Sequence, residues 1–127
     1  MSLIDQLRRM LGRQDATPRG DIDVRSAHAA TLRGDVTLVD VREDAEVAEG
    51  LAAGARHIAL SRLPGALDEL PGGPVAITCR SGARSRKAVA MAVANGHRDV
   101  LNVAGGFIAW QAASLPTDPH PHPKDTA

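Results

Sequence analysis

Short apolar runs and stretches of helix formers take turns along this chain from Asp21 onward, and that order narrows the fold class. Val36-Thr37-Leu38-Val39, Pro74-Val75-Ala76-Ile77-Thr78 and Val100-Leu101-Asn102-Val103 have the length and apolar character of buried strands. Ala27 to Arg33 and Arg86 to Ala94 are helix formers with few breakers, closed by Gly34 and by Asn95-Gly96. Strand and helix in alternation predict an α/β fold with a mostly parallel sheet. No internal repeat is visible. At 127 residues the chain reads as one domain, large enough for a real hydrophobic core. Phe107 and Trp110 are its only aromatic residues, so that core must be built from Val, Ile, Leu and Ala.

The boundaries follow from composition. Residues 1–14 read as an amphipathic helix, with Leu3, Ile4, Leu7, Met10 and Leu11 at helical spacing. It can pack on its own domain or fray, or touch a membrane surface through Arg8, Arg9 and Arg13. Residues 15–20, with Pro18 and Gly20, read as a linker, 21–115 as the folded domain, and the Pro- and His-rich residues 116–127 as a disordered or extended tail. Within the domain, Asp21 to Val24 predicts a brief strand and Ser26 the N-cap of the following helix. Asp44 to Glu49 predicts a short acidic helix. Ser61 is the expected cap of a helix running to Leu70, with Pro64 in its first turn.

Several function classes are disfavoured. The formal net charge is +0, whereas general nucleic-acid binding needs a basic excess or stripe. The single cysteine cannot close an internal disulfide. No stretch approaches the roughly 20 apolar residues of a membrane span, so stable membrane insertion is not expected. The N-terminus lacks an apolar core followed by a small-residue cleavage site, and the expected location is the cytoplasm. His28 reads as a surface residue and His57 as structural. His120 and His122 lack the cysteine or acid neighbours of a good metal site, so no metal is expected. No cofactor is called for.

The chemistry concentrates at Cys79-Arg80-Ser81-Gly82-Ala83-Arg84-Ser85, where a strand gives way to a helix. In open α/β sheets ligands bind at such junctions. Free N–H groups at a helix start favour an anion and lower the pKa of a thiol held there. Gly82 lets the backbone turn tightly, and Arg80 and Arg84 add two permanent positive charges. These features predict a thiolate in a cradle of amide donors, flanked by guanidinium groups. A lone cysteine is otherwise a small buried hydrophobe.

This loop, together with Leu38-Val39-Asp40-Val41-Arg42-Glu43 and Asn102-Val103-Ala104-Gly105-Gly106-Phe107-Ile108-Ala109-Trp110, resembles the rhodanese-like sulfurtransferases over residues 20–115, give or take about 2–4 residues. The resemblance implies a five-stranded parallel sheet with helices on both faces. It implies that Cys79 is the nucleophile, that residues 80–85 (Arg80, Ser81, Gly82, Ala83, Arg84, Ser85) bind substrate, and that Asp40 and Arg42 support the loop. Gly105-Gly106 is expected to turn beneath the site, and Trp110 to anchor the core. The chain keeps Gly50, Gly54 and Ala55 of the family's pattern but has Leu51 where a histidine is usual and Ala59 where a proline is frequent.

The implied reaction takes a sulfane sulfur from thiosulfate or another anionic donor onto Cys79 and passes it to cyanide, a thiol or a protein cysteine. Three other readings stand beside it. A persulfide carrier or regulatory module would present the same site, and a redox sensor would also use an exposed low-pKa cysteine. A cysteine phosphatase or arsenate reductase needs the pattern Cys-x5-Arg. Here the arginine comes one residue too early, and its place is taken by Ser85.

Overall fold

The computed structural model describes residues 20–120 and Leu3. The predicted helix and linker over 1–20 lie outside the described residues except for Leu3 and Gly20. So do residues 121–127, including His122. Leu3 is helical and partly buried against the domain core. Among the described residues no helix is long and apolar enough to cross a membrane.

The main sheet has five strands, all parallel: β1 (Asp21–Ile22), β2 (Thr37–Asp40), β4 (Arg56–His57), β5 (Val75–Thr78) and β6 (Val100–Val103), in the order β1-β6-β5-β2-β4. Helices α1 (Val24–Leu32) and α4 (Gly106–Ala112) cover one face, and α3 (Ala83–Ala94) the other. A short helix α2 (Asp44–Val47) follows β2. The predicted five-stranded parallel sheet with helices on both faces is the observed architecture.

Period-two alternation assigns the core. Leu38, Ala76, Leu101 and Val103 point to the α1/α4 side, where fully buried Trp110 stands. Val39, Val41, Val75, Ile77, Val100 and then Cys79 point to the α3 side, against Ala88, Val89 and Ala92. Each large aliphatic side chain so buried contributes about 1.5–3 kcal/mol. Register places the site. Asp40 is paired with Thr78 across β2 and β5, so the segments that follow them leave the sheet side by side on its C-terminal rim. Ladder-like bonds continue past the strand end: Val41 N–H donates to the Thr78 carbonyl at 2.9 Å.

Four local expectations change. Strand β1 ends at Ile22, and the cap of α1 is Asp23 rather than Ser26: the Asp23 carboxylate accepts from Ser26 N–H and Oγ–H, both at 2.9 Å. The stretch from Ser61 to Leu70 is not one helix but two 3-10 turns, Leu63–Gly65 and Leu67–Glu69. Pro64 supplies no N–H for an α ladder, Gly65 disfavours one, and Ser61 is bonded to Glu43 instead. Residues 116–118, expected in the tail, are held in the fold. Thr117–Asp118 (β7) pairs antiparallel with Leu51–Ala52 (β3), Pro116 O accepts from Trp110 Nε1 at 2.7 Å, and Asp118 Oδ2 from Gly54 N at 2.8 Å. His28 is half-buried with its ring edge-on to Trp110 at 5.4 Å, not on the open surface.

Candidate active site

Strand β5 ends at Thr78, and α3 begins at Ala83 with Gly82 as its N-cap. Gly82 has φ +123°, a conformation that favours glycine, and it turns its N–H onto the Cys79 sulfur at 3.0 Å. Ser85 Oγ, one turn into α3, lies 3.4 Å from the same sulfur. Cys79 is 1% exposed. Burial pushes its thiol up. Hydrogen bonding by the Ser85 hydroxyl and by the amides of Ser85, Gly82 and Ser81 pulls it down, and the net direction is down.

The other side of the loop is fixed by α4. Phe107 N–H donates to the Cys79 carbonyl at 2.8 Å and Ile108 N–H to the Arg80 carbonyl at 3.1 Å. The loop's carbonyls are thereby turned toward α4 and its N–H groups left toward the sulfur. Gly105 and Gly106, both at positive φ, bring α4 close enough to do this. The expected turn beneath the site is therefore in place.

Asp40 and Arg42 form a buried pair, with side chains 0% and 6% exposed and Arg42 Nη2 2.9 Å from Asp40 Oδ2. Arg42 Nε and its backbone N–H also reach Asp40. Arg42 then donates to the Gly50 carbonyl at 2.9 Å and the Glu46 carbonyl at 3.3 Å. Its guanidinium lies 4.1 Å over the Phe107 ring. The pair thus meets the cysteine loop through Phe107, the residue whose N–H holds the Cys79 carbonyl. His57, half-buried, has Nε2 2.6 Å from the Arg42 carbonyl, as a structural histidine should. The departures at Leu51 and Ala59 are both buried core positions.

The two arginines of the loop differ. Arg84, which the resemblance implies is a substrate ligand, gives both terminal nitrogens to the Glu46 carboxylate, Nη2 to Oε2 at 2.7 Å and Nη1 to Oε1. Arg84 holds Glu46 down to about 2, against a usual 4.5, and Glu46 in turn raises Arg84. Arg80 is exposed and makes no ion pair among the described residues. Ser81 and Ala83 are exposed beside it; Gly82 and Ser85 are buried.

Sequence reasoning missed Glu46 and Asn102. Glu46 lies 38 residues from Arg84, and no local pattern joins them. Asn102 accepts from the Ser85 hydroxyl and donates through Nδ2 to Asp21 Oδ1 at 3.1 Å. Its signal was present: it is the one polar residue in the apolar run of β6. Among the described residues no three metal-ligating side chains gather. His57 and His120 meet edge-on at 5.2 Å.

Comparison with known proteins places these features. The family model for the rhodanese-like domain matches residues 23–113. A sulfurtransferase of Allochromatium vinosum is 43% identical over 83 residues, covering 65% of this chain and 78% of the relative. The thiosulfate sulfurtransferase GlpE of Vibrio cholerae is 31% identical over 98 residues, covering 76% and 92%. The crystal structure of a rhodanese-like domain protein from Staphylococcus aureus superposes with a TM-score of 0.65 at 34% identity, covering 72% of this chain and 90% of that one.

Proposed function

The chain belongs to the rhodanese-like domain family, and on that premise we propose that it is a sulfurtransferase working through a Cys79 persulfide, with thiosulfate or a related anionic persulfide as donor. The observation that carries the reading is the Gly82 N–H held on the Cys79 sulfur at 3.0 Å, in a loop whose carbonyls are tied away to α4. Such a setting favours the thiolate, which is the nucleophile.

The Cys79 thiolate attacks the outer sulfur of thiosulfate. The donor's S–S bond breaks, sulfite leaves with the electron pair, and Cys79 holds the sulfur as a persulfide. A second nucleophile takes that sulfur: cyanide becomes thiocyanate, or a small-molecule or protein thiolate becomes a persulfide. The Cys79 thiolate is regenerated, and no external oxidant or general base is required. Arg80, exposed at the rim and without an ion pair among the described residues, is the group left to meet the donor's negative charge. With Cys79 1% exposed, the loop must open to admit the donor. The free thiol suits a reducing compartment such as the cytoplasm.

A phosphatase reading has less support. The residue where that chemistry needs an arginine is Ser85, and the guanidinium one position earlier is committed to Glu46. Steady-state assay with thiosulfate and cyanide tests the proposal: ping-pong kinetics are expected, and Cys79→Ser should abolish turnover while leaving the fold intact. Retained turnover in that variant overturns it. Persulfide loading without turnover would favour the carrier reading.

A further inference from the structure

A run of hydrogen bonds leads from the surface to the Cys79 sulfur, and its direction can be read from the donors and acceptors. Asp21, on edge strand β1, carries a carboxylate that only accepts: Oδ2 from Arg86 Nη2 at 3.0 Å and Oδ1 from Asn102 Nδ2 at 3.1 Å. Asn102 is 1% exposed. Its Nδ2 held by Asp21 leaves Oδ1 facing Ser85 Oγ. The Ser85 hydroxyl has one proton and three acceptors in reach: Asn102 Oδ1, the Gly82 carbonyl at 3.0 Å and Cys79 Sγ at 3.4 Å. The sulfur is the most distant of the three. A hydroxyl stabilises a thiolate only when its proton points at the sulfur; a lone pair there suits the neutral thiol as donor.

We propose that Asp21, acting through Asn102, is a positioning residue that draws the Ser85 hydroxyl proton toward Asn102 and so limits how far that hydroxyl can donate to the Cys79 sulfur. The amides of Ser81, Gly82 and Ser85 keep their place and favour the thiolate. Asp21 limits what the Ser85 hydroxyl adds to them, and so tunes how readily a resting thiol ionises. When Asp21 is replaced by a side chain that can also donate, the Asn102 amide can turn over. Its NH₂ then meets Ser85 Oγ, and the hydroxyl proton is released to the sulfur. Arg86 loses its partner when Asp21 is replaced, whereas Arg84 paired with Glu46, exposed Arg80 and the self-neutralised Asp40–Arg42 pair stay as they are.

The test uses the full chain and needs no sulfur donor, so it stands apart from the proposed reaction. The pH dependence of Cys79 alkylation by iodoacetamide is followed by intact mass in wild type, Asp21→Asn and Asp21→Ser. Both variants should ionise at lower pH, with alkylation below the wild-type midpoint about 3-fold faster or more, since hydrogen bonding to the charged form favours it. Removing a negative charge would shift the thiol the same way through space, so the comparison is repeated in a Ser85→Ala background. There Asp21→Asn should keep only the through-space part, a clearly smaller shift, because the proton it redirects is gone. An unchanged or raised midpoint in the Asp21 variants, or an equal shift with and without the Ser85 hydroxyl, overturns the proposal.

Discussion

Gly106 sits so close to Cys79 that a β-carbon at position 106 would lie 2.5 Å from the Cys79 carbonyl oxygen and 2.6 Å from that of Arg80. Its φ of +57° is also one that L-residues rarely adopt. The close approach lets the first amides of α4 hold the loop's carbonyls. Gly106→Ala is therefore expected to destabilise the fold by about 1–3 kcal/mol, from backbone strain and a displaced loop. It should also slow alkylation of Cys79 at neutral pH, because the amides no longer aim at the sulfur. A thermal melt and an alkylation rate check both. Unchanged reactivity would separate α4 from the activation of the thiol.

The charge at the rim is set by which arginine is free. Glu46→Gln leaves the Arg84 guanidinium without its counter-charge, and the KM for thiosulfate is expected to fall by about 2- to 5-fold, the scale of a partly exposed ion pair. Arg80→Ala is expected to raise that KM by about 10-fold. A KM unmoved by Arg80→Ala would show that this side chain faces solvent throughout the cycle.

The same ion pair gives an acid signature. Arg84 depresses Glu46 to about 2 from its usual 4.5, so the stabilisation is present in full above 4.5 and is lost as pH falls toward 2. Wild type should lose its stability advantage over Glu46→Gln across that window. Melts at a series of pH values would show the two curves converging. Parallel curves would mean that the pair contributes nothing to folding.

Asp40→Ala strands a buried guanidinium, since Arg42 is 5% exposed. A cost of about 3–5 kcal/mol is expected, with loosening of the Gly50 turn and of Phe107, which Arg42 braces. Denaturant unfolding measures it. A change under about 1 kcal/mol would show that the two carbonyls bonded to Arg42 suffice to hold it.

What was legible in the sequence was whatever local pattern determines. The run ending at Thr78, the lone cysteine after it and Gly82 placed the loop, and Leu38-Val39-Asp40 placed the second rim segment on the same edge. Gly105-Gly106 was legible as a turn, though the carbonyls it meets were not. Ser26 and Asp23 are both good caps, and only the geometry of the first turn chooses Asp23. Ser61 looked like a cap because its bond to Glu43, 18 residues away, cannot be read locally. The pairing of Thr117 and Asp118 with Leu51 and Ala52 was hidden by flanking prolines. Arg84 carried the right charge in the right place, but its partner came from another element.

The Cys79 sulfur should accept and hold one further sulfur atom. Intact mass of the purified full chain after incubation with thiosulfate tests it directly. A gain of one sulfur atom is expected, which cyanide removes and which Cys79→Ser cannot acquire. No gain in the wild-type chain, or a gain that survives in Cys79→Ser, would contradict it.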